Sequence, residues 1–171
     1  MSSSACRSVA EPFEIREARA EEYEAAGELC AVAYAVYGEI DISYLDELRD
    51  VAGRAEVVPV LVAAEPDGTL LGTVTYVPGP GPFAESEHED EAGFRMLAVA
   101  PWAQGRGVGR KLVDACIERA REDGRRGIAI LTTPAMQVAH RLYESMGFTR
   151  DPSRDWEYQP GKVLWSYRLA L

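Results

Sequence analysis

Apolar and polar residues alternate along Phe13-Glu14-Ile15-Arg16, the period of a half-buried strand. A helical period follows: Tyr23, Ala26, Leu29, Cys30, Ala33 and Tyr37 share one face after Ala20-Glu21-Glu22, and Gly38 ends the pattern. Leu45, Leu48 and Val51/Ala52 keep the same spacing and predict a shorter helix over residues 42–53. Residues 57–64 and 70–77 are rich in β-branched side chains and are joined by Pro66-Asp67-Gly68, a turn signal, so they predict a hairpin. The Pro, Gly and acidic residues of 78–90 predict a surface loop.

The second half repeats strand and helix. Apolar residues 94–99 form a strand stopped by Pro101, and Leu112, Val113, Cys116, Ile117 and Ala120 make the buried stripe of a helix capped by Gly124. Residues 127–132 predict a fifth strand. Pro134 stands near the start of a helix that carries Tyr143 and is closed by Gly147, and two more strands are expected near 148–158 and 163–170. Helices on both sides of a mixed sheet place the chain in the α/β (α+β) class. Residues 13–171 are expected to form a single domain, preceded by a disordered polar tail over 1–12.

Composition narrows the function classes. The 171 residues carry a formal net charge of −10, which repels nucleic acid and anionic membrane and favours the approach of a cation. Apolar runs such as 59–64 are too short to span a bilayer, and the first residues lack the apolar core of a signal peptide, so a cytoplasmic address is expected. Cys6, Cys30 and Cys116 form no CxxC pair and only His88 and His140 are present, so neither a disulfide framework nor a metal site is expected.

The chemistry concentrates at Leu97-Ala98-Val99-Ala100-Pro101-Trp102-Ala103-Gln104-Gly105-Arg106-Gly107-Val108-Gly109, followed at once by the helix pattern from Arg110. Glycines at 105, 107 and 109 let backbone N–H groups converge without Cβ obstruction, and the unpaired donors and positive end of the helix favour a phosphate. The sixth position from Gly105 is Arg110, so a dinucleotide fingerprint fails. Gly109-Arg110-Lys111 also lacks the Gly-Lys-Ser/Thr ending of a P-loop.

Leu-Ala-Val followed by Gln104-x-x-Gly107-x-Gly109 strongly resembles the acyl-CoA-binding motif of the GNAT superfamily of N-acetyltransferases. Ala139-His140-Arg141-Leu142-Tyr143-Glu144-Ser145-Met146-Gly147-Phe148 resembles a second motif of the same family, in the required order. The resemblance implies a GNAT-like, mostly antiparallel sheet of about seven strands flanked by about four helices. It implies acetyl-CoA as cosubstrate without a metal, and transfer of acetyl to a primary amine by direct attack in a ternary complex. A homodimer is the assembly it favours. The acceptor is a small-molecule amine or a peptide N-terminus, and the acidic chain points to a cationic one. A non-catalytic acyl-CoA-binding module and a nucleotide-phosphate-binding domain remain open as alternatives.

The resemblance also assigns residues. Gln104, Gly105, Arg106, Gly107, Val108, Gly109 and Arg110 would hold the pyrophosphate, and the backbone of Leu97, Ala98 and Val99 the pantetheine and thioester carbonyl. Tyr143 matches the tyrosine near the thioester sulfur and would donate a proton to the departing thiolate. Several relatives carry a glutamate four residues before the Leu of Leu-Ala-Val, where this chain has Gly93, and an asparagine where it has Met136. Glu91, two residues before Gly93 on the same strand face, is the candidate base, set against its membership of the solvated acidic run 85–91. His140 is expected on the exposed face of its helix and Trp102 is expected to pack; Trp156 and Tyr158 follow a Pro-Ser-Arg-Asp loop that in such folds can border the acceptor pocket, with core packing the preferred expectation.

Overall fold

The computed structural model describes residues 13–171; the expected tail and Cys6 lie outside the described residues. An eight-stranded sheet organises the described residues: seven strands follow the order β1-β2-β3-β4-β5-β8-β6, and β7 pairs with β8 off that path. The strands are β1 Glu14–Glu17, β2 Val60–Ala64, β3 Leu70–Val77, β4 Glu91–Val99, β5 Gly127–Thr132, β6 Thr149–Arg150, β7 Trp156–Gln159 and β8 Lys162–Ala170. The helices are α1 Tyr23–Ala35, α2 Ile42–Arg49, α3 Val51–Ala55, α4 Val108–Glu122 and α5 Gln137–Ser145. Among the described residues only β4 and β5 run parallel; the other pairs are antiparallel. Among the described residues no helix is long and apolar enough to cross a membrane.

Two apolar layers cover the sheet. On one face the α4 stripe of Leu112, Val113, Cys116, Ile117 and Ala120 packs with Leu61, Tyr76, Phe94 and Ile128. On the other, Ala26 of α1 and Val51 of α3 meet Val60 and Val62, while Cys30 and Leu48 meet Met96 and Ala98. Alternate residues of β2 therefore serve opposite layers, and all five are buried.

Several boundaries differ from the periodicity. The single helix expected over 42–53 is broken between α2 and α3, because Asp50 leaves helical geometry and its carboxylate accepts the Gly53 N–H at 2.9 Å. The buried Arg54 guanidinium then satisfies α2's last carbonyls, donating to Glu47 O and, at 3.1 Å, to Leu48 O. The strand expected near 148–158 is two short strands separated by a 3-10 turn at Pro152–Arg154. The first hairpin strand begins only at Val60, leaving Val57 exposed.

The middle of the sheet opens. β4 and β5 pair only at Glu91↔Gly127 and Ala92↔Ile128, after which β4 continues with β3 and β5 with β8. A bulge in β4 accompanies this divergence: the register with β3 shifts between Thr73 and Thr75, and Met96 takes φ 55°. A wedge between β4 and β5 results.

Candidate functional site

The edge of β4 facing the wedge carries unpaired backbone. Ala100 donates its N–H to Leu71 O at 2.8 Å, and the Thr73↔Ala98 register puts Ala98 in the same phase. Val99 between them, and Leu97 on the other side of Ala98, alternate with these two, so their N–H groups are directed from β3 into the wedge. Their side chains are half-buried, and Leu97 and Val99 both pack against the core. One short segment thus combines packing with free donors.

The glycine turn lies at the end of that strand. Gly105 and Gly107 have φ of 81° and 78°, a conformation costly to residues bearing a Cβ, and open space surrounds both. Gly107 caps α4 without any side-chain acceptor for the first-turn donors; the first N–H to bond back is Lys111, to Gly107 O. The α4 N-terminus therefore presents unsatisfied N–H groups toward solvent, a site for an anion. Val108 is buried as an anchor, whereas Gln104 is exposed. Gly109 sits inside α4, where an added Cβ would be 3.3 Å from the Leu142 side chain of α5, tighter than an ordinary contact.

The two turn arginines have partners. Arg106 reaches Glu65 in the β2–β3 turn at 2.8 Å, and Arg110 donates to Ser145 Oγ at 2.5 Å. Arg110 also borders a hollow between α4 and β8 lined by Asp114, Ile117, Glu118, Met146 and Leu169, which lies apart from the Leu97–Val99 edge.

Tyr143 is buried against Phe94 and Phe148, each 5.7 Å away between ring centres, with Tyr167 at 6.2 Å. Its hydroxyl has no hydrogen-bond partner among the described residues, yet it is not among the enclosed unsatisfied atoms. Burial pushes its ionisation well above the usual range, so the phenol keeps its proton as a donor. Tyr34 and Tyr37, at the end of α1, come within electrostatic range of it.

Glu91 is neither solvated nor a free acceptor. It is 1% exposed, and Arg154 grips it with Nη2 at 2.8 Å and Nη1 at 3.1 Å. Arg168 and, at 2.9 Å, the His88 N–H complete the cage. Burial alone would raise its pKa, but hydrogen bonds from Arg154, the His88 backbone and Arg168 outweigh that and hold it at about 2. A carboxylate so held is a poor proton acceptor at neutral pH, and its geometry is that of a clasp joining β4, the 3-10 turn after β6, and β8.

The rest of the acidic loop divides. Glu85 pairs with Arg95 of β4 at 2.7 Å, and Glu47 of α2 lies 3.6 Å from the same guanidinium. Burial raises the Glu85 pKa against the pull of Arg95. Glu89 and Asp90 are exposed. Tyr34 and Tyr44 stack edge-on beside this group at 6.3 Å, and burial raises the Tyr44 phenol to about 12.

Three other expectations are corrected. His140 is buried, not exposed: it stacks on Trp165 at 5.5 Å and meets Thr132 Oγ1 at 3.2 Å, because β8 passes beneath that face of α5. Burial lowers its pKa and keeps the ring neutral. Trp102 is 60% exposed beside the glycine turn, and Trp156 and Tyr158 are exposed as a pair on the short arm formed by β7 and β8. Met136 is buried and accepts the Thr132 hydroxyl at its sulfur.

Residues 14–148 match the acetyltransferase (GNAT) family. A mycothiol acetyltransferase of Thermomonospora curvata is 32% identical over 119 residues, covering 69% of this chain and 37% of that protein. The chain spans between 26% and 37% of the length of the curated relatives it matches. A GNAT-family acetyltransferase structure from Staphylococcus aureus superposes with a TM-score of 0.74 at 16% identity, covering 94% of this chain and 99% of that one. A Brucella melitensis GNAT-family structure in complex with acetyl-CoA gives 0.62 at 23% identity, covering 94% and 89%.

Proposed function

The chain belongs to the acetyltransferase (GNAT) family, and on that footing we propose that it transfers acetyl from acetyl-CoA to a primary amine by direct attack in a ternary complex. The observation that carries the reading is the continuity of two donor sets: the Leu97 and Val99 N–H groups in the wedge, and the unsatisfied first turn of α4 beyond Gly105 and Gly107. The first set suits the amides of an extended pantetheine arm and the thioester carbonyl; the second suits the pyrophosphate. Acetyl-CoA supplies the activated acyl group. The amine nitrogen forms the new bond to the acyl carbon as the carbon–sulfur bond breaks, one proton leaves the amine, and the thiolate gains one.

Tyr143 is the donor to the thiolate in this scheme, since it is protonated, stands beside the wedge and has an uncommitted hydroxyl. Arg106 and Arg110 act from the rim of the phosphate site, held by Glu65 and Ser145. Glu91 maintains the closed end of the wedge.

Two measurements test the reading. Calorimetry should show acetyl-CoA binding that fails in Gly107→Glu, and thiol release should accompany amine acetylation. Binding without release from any amine would instead identify a non-catalytic acyl-CoA-binding module.

A further inference from the structure

Gly93 is the only residue between Glu91 and Arg95 on their face of β4, and the space over its Cα is filled from elsewhere. A Cβ built there would lie 2.0 Å from Glu87 Oε1 and 2.7 Å from Ala129 O of β5. The Glu87 carboxylate thus enters from the β3–β4 loop to the point where β4 and β5 begin to part, at the place a side chain of residue 93 would take.

The loop is folded to hold it there. The backbone N–H groups of Glu85 and Ser86 both donate to Glu87 Oε2, at 2.6 and 3.0 Å. Arg154 anchors the same turn by donating to Ser86 O while its guanidinium is spent on Glu91. Oε2 is fixed by two donors, and Oε1 over Gly93 has no ion pair or hydrogen bond among the described residues. The other nearby carboxylates are committed: Glu91 to two arginines and Glu85 to Arg95.

Its side of the sheet matters. Phe94 alternates with Gly93 and packs on Tyr143, so Tyr143 and Glu87 flank β4 on opposite faces. Glu87 shares its face with Arg95, Glu47 and the tyrosines of α1 and α2. A proton donor for the leaving thiolate and an acceptor for the incoming ammonium are needed on different sides of the reacting carbon.

We propose that Glu87 is the catalytic carboxylate that takes the proton from the acceptor amine, with Gly93 kept side-chain-free to admit it. This rests on the acetyltransferase reading. The ammonium first gives a proton to Glu87 Oε1, directly or through one water, and on to solvent; the freed amine lone pair then bonds the acyl carbon as the carbon–sulfur bond breaks, and the second proton lost by the nitrogen balances the one the thiolate gains.

The test uses the full chain. Acetyl-CoA affinity is measured by calorimetry, and thiol release is followed with spermidine, tyramine and an alanine-terminated peptide as probe amines, and with water alone. Glu87→Ala should lower release with every acceptor the wild type uses by about a hundredfold or more, with acetyl-CoA affinity within about twofold of wild type. Formate, which fits the space vacated over Gly93, should restore part of the rate to Glu87→Ala and none to Glu87→Gln, whose amide occupies that space. Gly93→Ala keeps Glu87 but displaces its carboxylate, and should lose rate likewise. If Glu87→Ala loses its melting transition, Glu87→Gln and Gly93→Ala carry the same comparison.

Wild-type turnover in Glu87→Ala or Glu87→Gln overturns the proposal, as does a loss that formate leaves untouched. Acetyl-CoA binding by the wild type without release to any probe or to water also overturns it, while leaving the cosubstrate reading intact. Absence of acetyl-CoA binding by the wild type overturns the underlying reading itself.

Discussion

Glu91 and Arg154, 63 residues apart in the chain, are joined by two hydrogen bonds of 2.8 and 3.1 Å on a carboxylate that is almost wholly buried. With Arg168 they fasten the start of β4, where it still pairs with β5, to the strands that follow α5. The wedge opens immediately beyond this clasp.

Glu91→Gln should therefore lower stability by about 2–3 kcal/mol at neutral pH, by removing a carboxylate whose pKa falls from 4.5 to about 2 on folding. The sign follows from the lowered value: the stabilisation is complete above the unfolded pKa and is lost as pH falls through the folded one. Urea unfolding should show the difference between wild type and variant shrinking from about pH 4.5 toward pH 2. A gap that persists at the acid end would remove the charge from the explanation.

The central part of the site was legible because it is local. Leu97 to Gly109 puts strand, bulky stop, positive-φ glycines and helix start in one continuous stretch, and each has a residue-level signature. What escaped depends on distant partners. Glu91 reads as one acid in a run because Arg154 and Arg168 lie 63 and 77 residues away. Gly93 reads as a weak strand residue until the Glu87 carboxylate is found above it. His140 was misplaced because α5 alone does not reveal that Trp165 of β8 covers its face. The break at Asp50 did carry a local signal, an N-cap residue three positions before Gly53, but the apolar repeat runs straight through it.

Gly107→Glu should abolish thermal stabilisation by acetyl-CoA. The substitution puts a negative charge at the α4 N-terminus, where the dipole and free N–H groups would otherwise meet a phosphate, and imposes φ 78° on a residue with a Cβ. The backbone strain costs about 1 kcal/mol, small enough for the domain to stay folded. A melting curve that still rises with acetyl-CoA would place the ligand elsewhere.

Tyr143→Phe should leave the Phe94, Phe148 and Tyr167 contacts in place and remove only the hydroxyl. Turnover should fall about ten- to a hundredfold, with acetyl-CoA affinity within about twofold of wild type. Because the lost oxygen has no partner among the described residues, the melting temperature should not fall appreciably. Full activity in the variant would make Tyr143 a packing residue only.

The acceptor's charge can be tested on the α1–α2 side of β4. Glu85, Glu47 and Arg95 together carry a net charge of −1 when both carboxyls are ionised, beside the edge-on pair of Tyr34 and Tyr44. Carboxylate next to aromatic faces favours a cation over a neutral or anionic amine. Removing one acid gives a neutral group, and removing both leaves Arg95 to repel the acceptor, so the effect should grow steeply from Glu47→Gln to Glu47→Gln with Glu85→Gln. In the double variant KM for spermidine should rise about tenfold at low salt, and KM for acetyl-CoA should stay near its wild-type value. Because Glu47 is 45% exposed, screening should shrink the difference as salt approaches about 1 M, where the Debye length falls to about 3 Å. The burial that raises the Glu85 pKa gives a further sign: as pH falls through that raised value Glu85 becomes neutral, and the spermidine KM of the wild type should rise toward that of Glu85→Gln. Equal KM for spermidine in wild type and double variant, or a preferred acceptor carrying net negative charge, would show that these carboxylates do not select the amine.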